Sequence, residues 1–195
     1  MNYLAHAYFS HNEPSTIIGN LISDFIKGKK QFDYPPEIQK GIRLHRAIDM
    51  FTDSHPAVGD AKQIFRPHYR LYAGAFVDVA FDYFLANDIQ LFPAEYDLQL
   101  FSQRVYAAID EYNDWLPEHT KGYFARMQEQ NWLYNYRYVW GMEKSFAGVV
   151  YRSAYLNDSS TAVMLFEENL FHLKDSYMEF IPDLKRMVDA FRMPE

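Results

Sequence analysis

The chain contains no cysteine. That absence excludes disulfides, thiol nucleophiles and zinc sites built on thiolate, and it suits a reducing compartment. No stretch reaches the roughly 18 to 20 apolar residues that span a bilayer. The opening MNYLAHAYFSHNE has no basic segment followed by an uninterrupted apolar run, so no signal peptide is expected. Internal repeats, low-complexity tracts and flexible linkers are missing as well. Basic residues are outnumbered 19 to 26, for a net charge of −7, which argues against a general nucleic-acid binder. What is present is a chain of 195 residues, 49% hydrophobic, long enough for one well-buried domain and expected in the cytoplasm.

The charge is uneven. Lys27, Lys29, Lys30, Lys40, Arg43 and Arg46 face only Asp33 and Glu37 within residues 27–46, a local charge of +4. On an acidic chain such a segment either steers an anionic substrate or acidic partner, or solvates a loop.

The apolar pattern is helical throughout. In STIIGNLISDFIKG the stripe of Ile17, Ile18, Leu21, Ile22, Phe25 and Ile26 predicts a helix with Ser15 as N-cap and Gly28 as stop. KKQFDYPPE reads as a loop, and Pro36 suits the first turn of a helix ending near Ser54, His55 and Pro56. A short helix around Val58–Phe65 and a long one over Tyr69–Asn87 follow. Further helical patterns occupy DLQLFSQRVYAAIDEYNDWL, KGYFARMQEQNWL, MEKSFAGVVYRSAYL and the segment from Thr161 to Arg192. Asp158 or Ser160 is placed to cap that last segment, and Pro182 to kink or split it. The alternating aromatics of NWLYNYRYVW resemble a strand, but without a partner strand they read as a helix end or connector. The expectation is one all-α domain over residues 1–195, a helical bundle.

Chemistry-bearing residues sit where burial makes them expensive. From Leu71 to Ala86 the only charged residues are Asp78 and Asp82, one turn apart on a helix otherwise apolar on nearly every side. A buried carboxylate must find a cation, a hydrogen-bonding partner or a proton. Asn20 and Asp24 share another helix face, and His6 lies among apolar residues in NYLAHAYF. GIRLHRAIDMFTDSHP puts His45, Asp49 and Asp53 at four-residue steps beside Arg46. Arg46 and Asp49 could simply pair, and Asp53 could be a helix-end residue. Together these helices offer imidazole and carboxylate without thiolate, a donor set suited to Mn²⁺, Fe²⁺, Mg²⁺ or Zn²⁺ in a bundle core.

NYLAHA, GNLISDFIKG, GIRLHRAIDMFTDSHP and FVDVAFDYFLA, in that order and spacing, resemble the bacterial acyl carrier protein phosphodiesterases. The similarity is strong over residues 1–90 and fainter through NWLYNYR to the helix ending at Arg152. The resemblance implies a helical fold distantly related to the His–Asp ("HD") metal phosphohydrolases, with its site on helices within residues 1–90 and supporting helices in 91–195. It also implies a metal-dependent hydrolase, typically with Mn²⁺, that cuts the phosphodiester between 4′-phosphopantetheine and a serine of holo acyl carrier protein. Metal would fall to His6, Asp24, Asp78 and Asp82, and phosphate to Arg46 and Arg70. His45 would be the general acid oriented by Asp49, or else a ligand. Lys27, Lys29, Lys30, Lys40 and Arg43 would receive the acidic carrier.

Two positions depart from the family pattern. Tyr83 stands where relatives commonly have histidine, so no metal role is carried to it, and Leu71 replaces the second of a pair of arginines. No His-Asp dipeptide occurs in the sequence. Two rival readings stay open: the same chemistry on a nucleotide or other small phosphodiester, and a non-enzymatic helical binding protein whose buried aspartates are paired with arginines.

Overall fold

The computed structural model describes residues 1–192, and every regular element among them is helical. The α-helices are α1 (Tyr3–Tyr8), α2 (Pro14–Ile22), α3 (Pro36–Ser54), α4 (Pro56–Tyr69), α5 (Ala73–Ala86), α6 (Glu95–Glu111), α7 (Lys121–Glu129), α8 (Trp132–Asn135), α9 (Val139–Arg152), α10 (Ser160–Glu168) and α11 (Leu170–Arg192). No described helix is long and apolar enough to cross a membrane. One apolar core runs from Met1 to Val188. Helix α5 lies inside it, with Phe76, Val77, Ala80, Phe81 and Leu85 fully buried and α1, α4, α9 and α11 packed on it. That enclosure is why the sequence of α5 is apolar nearly all round.

Several boundaries differ from the sequence reading, each for a local reason. Helix α2 starts at Pro14, with Glu13 before it, so Ser15 lies inside the helix and is no cap. Proline fits there because the first helical N–H has no partner to lose. The helix stops at Ile22, and a 3-10 turn over Ser23–Phe25 carries Asp24. Gly28, at φ 58°, opens the next 3-10 stretch, Gly28–Asp33, instead of ending α2. The expected helix over Tyr69–Asn87 is interrupted: α4 runs through Pro67 to Tyr69, Arg70 leaves the helix at φ 47°, and α5 begins at Ala73. The last segment splits at Asn169, while α11 passes through Pro182.

Other boundaries follow the sequence. Pro36 occupies the first turn of α3, which ends at Ser54. Asp158 caps α10, accepting the N–H groups of Ser160 at 3.1 Å and Thr161 at 3.2 Å. The aromatic run is helical, forming α8 and the start of α9.

Helices α2 and α3 cross in backbone contact. A Cβ on Gly19 would lie 2.0 Å from the carbonyl oxygen of Ile38, and one on Gly41 would lie 2.3 Å from that of Thr16. Only glycine allows this approach. It sets Asn20, next to Gly19, beside His45, one turn beyond Gly41.

Candidate metal centre

The crossing fixes His45 from one side. Asn20 is fully buried, and its amide nitrogen donates to the His6 carbonyl at 2.9 Å and the Ser10 hydroxyl at 3.0 Å. Because a carbonyl only accepts, the amide orientation is determined, and Asn20 Oδ1 must face His45. His45 Nδ1–H therefore donates to Asn20 Oδ1 at 3.1 Å. The other ring nitrogen, Nε2, then points at two carboxylates: Asp24 Oδ1 at 3.1 Å and Asp49 Oδ2 at 3.0 Å. A ligating histidine has this arrangement, one nitrogen anchored by an acceptor and the other free to bind.

His6 stacks on His45, with ring centroids 4.0 Å apart and 15° between planes. Its Nε2 lies 3.2 Å from Asp49 Oδ1 and 3.1 Å from the Met1 carbonyl. Both neighbours are acceptors, so Nε2 carries the proton. His6 Nδ1 is buried with no described partner. His6 thus lacks the anchoring acceptor that Asn20 gives His45.

Charge at the cluster is held by these contacts. Burial alone would lower the His45 pKa, but its hydrogen bonds to the Asp24 and Asp49 carboxylates outweigh it and raise the value to about 9. Burial and the neighbouring His45 charge push His6 down to about 4, leaving it neutral. Desolvation would raise Asp49, yet its hydrogen bonds to His45 and His6 keep it well below the usual carboxylate range. The His45 hydrogen bond, above all, lowers Asp24.

The donor set fits a divalent ion. Ligand atoms of His6, His45 and Asp49 lie within 4.8 Å of one another. Ligands about 2.1 Å from a common ion are themselves separated by about 3 Å, and the His45–Asp49 and His45–Asp24 separations are 3.0 and 3.1 Å. His45 Nε2, Asp24 and Asp49 would be the groups to hold such an ion. The cluster opens on a cavity of about 190 Å³ lined also by Tyr3, Asp78 and Arg152. Asp24, its side chain 68% exposed, stands at the solvent edge.

The remaining sequence candidates divide. Asp78 borders the cavity but pairs with the Met1 amine at 3.0 Å; burial pushes its carboxyl up, and the amine opposes that. Asp82, expected as a ligand, is fully buried elsewhere. Its two oxygens accept the N–H groups of Leu4 at 2.8 Å and Ala5 at 3.2 Å, capping α1 from α5. Burial lifts this carboxyl to about 7 despite those donors. Arg46, expected at the phosphate, instead ties down the 3-10 stretch, donating to Gln31 Oε1 at 2.8 Å and the Ile26 carbonyl at 3.3 Å. Arg70 sits at the α4–α5 junction and does not line the cavity. Asp53 pairs with Lys62 at 2.8 Å, a helix-end surface contact. Tyr83 packs its ring 5.2 Å from that of Phe166, away from the cluster's lining.

Lys27, Lys29, Lys30, Lys40 and Arg43 are all exposed. Lys27, Lys29 and Lys30 follow Asp24 closely in the chain. Lys40 lines a shallow depression with Glu13, Thr16 and Val188, none of which borders the cavity. Two site residues escaped the sequence reading as functional. Asn20 was visible only as a neighbour of Asp24 in helical spacing. Arg152 was visible as a charge continuing the buried stripe of Met142, Phe146 and Val149 on α9.

Comparison with known proteins gives the cluster a context. The family model for acyl carrier protein phosphodiesterase matches residues 1–184. A protein of that name from Yersinia pestis is 30% identical over 186 residues, 95% of this chain and 96% of its own length. Another from Klebsiella pneumoniae is 31% identical over 198 residues, covering 97% of this chain and 98% of the relative. One from Photorhabdus laumondii is 29% identical over 182 residues, 93% and 92% of the two chains. No solved structure matches. With the match spanning helices α1 to α11, cluster and cavity included, the chain belongs to the acyl carrier protein phosphodiesterase family.

Proposed function

We propose that this protein is a metal-dependent phosphodiesterase that hydrolyses the bond between 4′-phosphopantetheine and a serine of holo acyl carrier protein, releasing the apo carrier. The observation that carries the reading is the anchored His45 facing two carboxylates in a chain of this family. We take the fold as a variant of the HD-phosphohydrolase type, acting in the cytoplasm.

His45, Asp49 and Asp24 would hold the ion, with Mn²⁺ the first choice and Mg²⁺, Fe²⁺ or Zn²⁺ compatible with the donors. An ion there supplies Lewis acidity, activating water near neutral pH and neutralising phosphoryl charge. Asn20 holds the His45 proton on Nδ1, so that Nε2 is free to ligate. Proton donation by His45 to the leaving serine oxygen would need the same nitrogen, and ligation is the role the Asn20 anchor favours. His6, without an acceptor for Nδ1, serves better as the N–H donor that orients Asp49. Lys27, Lys29, Lys30 and Arg43 form an exposed basic surface for the acidic carrier. Lys40, over its separate depression, is the weaker member of that set.

The test is intact mass of holo acyl carrier protein after incubation with this protein in Mn²⁺ or in EDTA. Loss of the phosphopantetheine mass in the Mn²⁺ sample alone supports the proposal. No loss in either sample, or equal turnover of free small phosphodiesters, contradicts it in favour of another phosphodiester substrate.

A further inference from the structure

An anion entering the cavity meets two lining carboxylates, Asp24 and Asp78, with Asp49 behind them against His45 and the Met1 amine. Repulsion of that kind must be offset by positive charge that is not already committed. Among the described lining residues Arg152 is the only lysine or arginine. Its guanidinium makes none of the ion pairs or hydrogen bonds among the described residues. A cation in the last turn of α9 is favoured by the helix dipole wherever it points. The dipole does not explain why this one faces a cavity and pairs with none of the carboxylates there, which are held by His45 and the Met1 amine.

Two tyrosines share that wall. The rings of Tyr3 and Tyr123 are 5.7 Å apart, Tyr3 lines the cavity, and the Arg152 charge acts on both hydroxyls. Burial keeps both phenols protonated, and therefore donors. The Tyr3 hydroxyl is engaged with that of Tyr123, which is buried and has no other partner among the described residues.

We infer that Arg152 binds the non-bridging oxygens of the scissile phosphodiester, the role the family resemblance had suggested for Arg46 and Arg70. A guanidinium fork matches two phosphoryl oxygens at once, which a lysine cannot do. Charge on those oxygens changes as the phosphoryl group is transferred, so the contact acts on both binding and turnover. The inference rests on the proposed phosphodiesterase reading for its substrate, but not for its ligand class, which is a phosphoryl anion.

The experiment measures calorimetric binding of inorganic phosphate and of Mn²⁺, with melting temperature, for wild type, Arg152→Ala, Arg152→Lys and Arg70→Ala. Phosphate is titrated with and without Mn²⁺, and kcat and KM for holo carrier are recorded alongside. Arg152→Ala should weaken phosphate binding about 10- to 100-fold, as loss of a charged hydrogen-bonding partner does. Arg152→Lys should recover part of it, and Arg70→Ala should match wild type. Mn²⁺ affinity and melting temperature should stay unchanged in all three variants. The inference is overturned if Arg152→Ala binds phosphate like wild type, if wild type binds none, or if Arg152→Ala also loses Mn²⁺. Phosphate binding that depends on Arg152 in a protein inert towards holo carrier would sustain the inference and overturn the substrate instead.

Discussion

At the scale of the residue, His45 carries the most information because its two nitrogens have separate tasks. In metal-free protein its folded pKa of about 9 exceeds the ordinary 6.5. The native state then binds the extra proton between those values, so the stabilisation is complete below pH 6.5 and disappears as pH rises through 9. EDTA-treated protein should therefore lose on the order of 1–3 kcal/mol of stability across that window and melt at progressively lower temperature. His45→Gln should flatten the slope, which a melting series at several pH values would read directly. Asp82 makes the opposite point, since its chemistry is structural. Asp82→Ala leaves two buried N–H groups of α1 without acceptors and should cost about 2–4 kcal/mol in urea unfolding. Asp82→Asn should cost roughly half that, because one acceptor oxygen remains. Folded Asp82→Asn should still bind Mn²⁺ stoichiometrically; loss of that binding would restore Asp82 as a ligand. The sequence showed that Asp82 was buried and needed a partner. It could not show that the partner was the start of α1, because a helix terminus delivered from 77 residues away leaves no local pattern. Arg152, by contrast, left a local pattern, three buried apolar positions on α9 continued at helical spacing by an arginine, and still escaped the sequence reading as functional.

At the scale of the element, the site depends on how closely α2 and α3 approach. Gly41→Ala would push a methyl to 2.3 Å from the Thr16 carbonyl, so the helices must separate. The expected loss is about 1–3 kcal/mol of stability, together with weaker Mn²⁺ binding as Asn20 moves off His45. Wild-type metal affinity in this variant would show that the crossing does not set the site. Helical periodicity exposed α3 well, from Pro36 to Ser54, because proline start, apolar stripe and polar end all agree there. It failed at α2, where a continuous apolar stripe hid the change from α-helix to 3-10 turn that carries Asp24. It failed again between α4 and α5. There the positive φ of Arg70 is a tertiary choice that a residue without special turn preference does not announce.

At the scale of the whole molecule, an all-helical chain around one core follows from the periodicity of nearly every segment. Which helices meet does not. Composition placed imidazoles and carboxylates in the first half of the chain. Only the packing of α1, α2 and α3 separated the residues that converge, His6, Asp24, His45 and Asp49, from those that stabilise the fold, Asp82 and Arg46. The last wall of the cavity comes from α9, in the half that the sequence had assigned to support.

The central claim is that this convergence exchanges a proton for a divalent ion. Calorimetric titration of Mn²⁺ into EDTA-treated, dialysed protein near neutral pH, in two buffers of different protonation enthalpy, measures both events together. The account predicts saturable binding that releases about one proton per ion from His45 and vanishes in Asp49→Ala and His45→Ala. Absence of binding, or proton-neutral binding that survives Asp49→Ala, would contradict it.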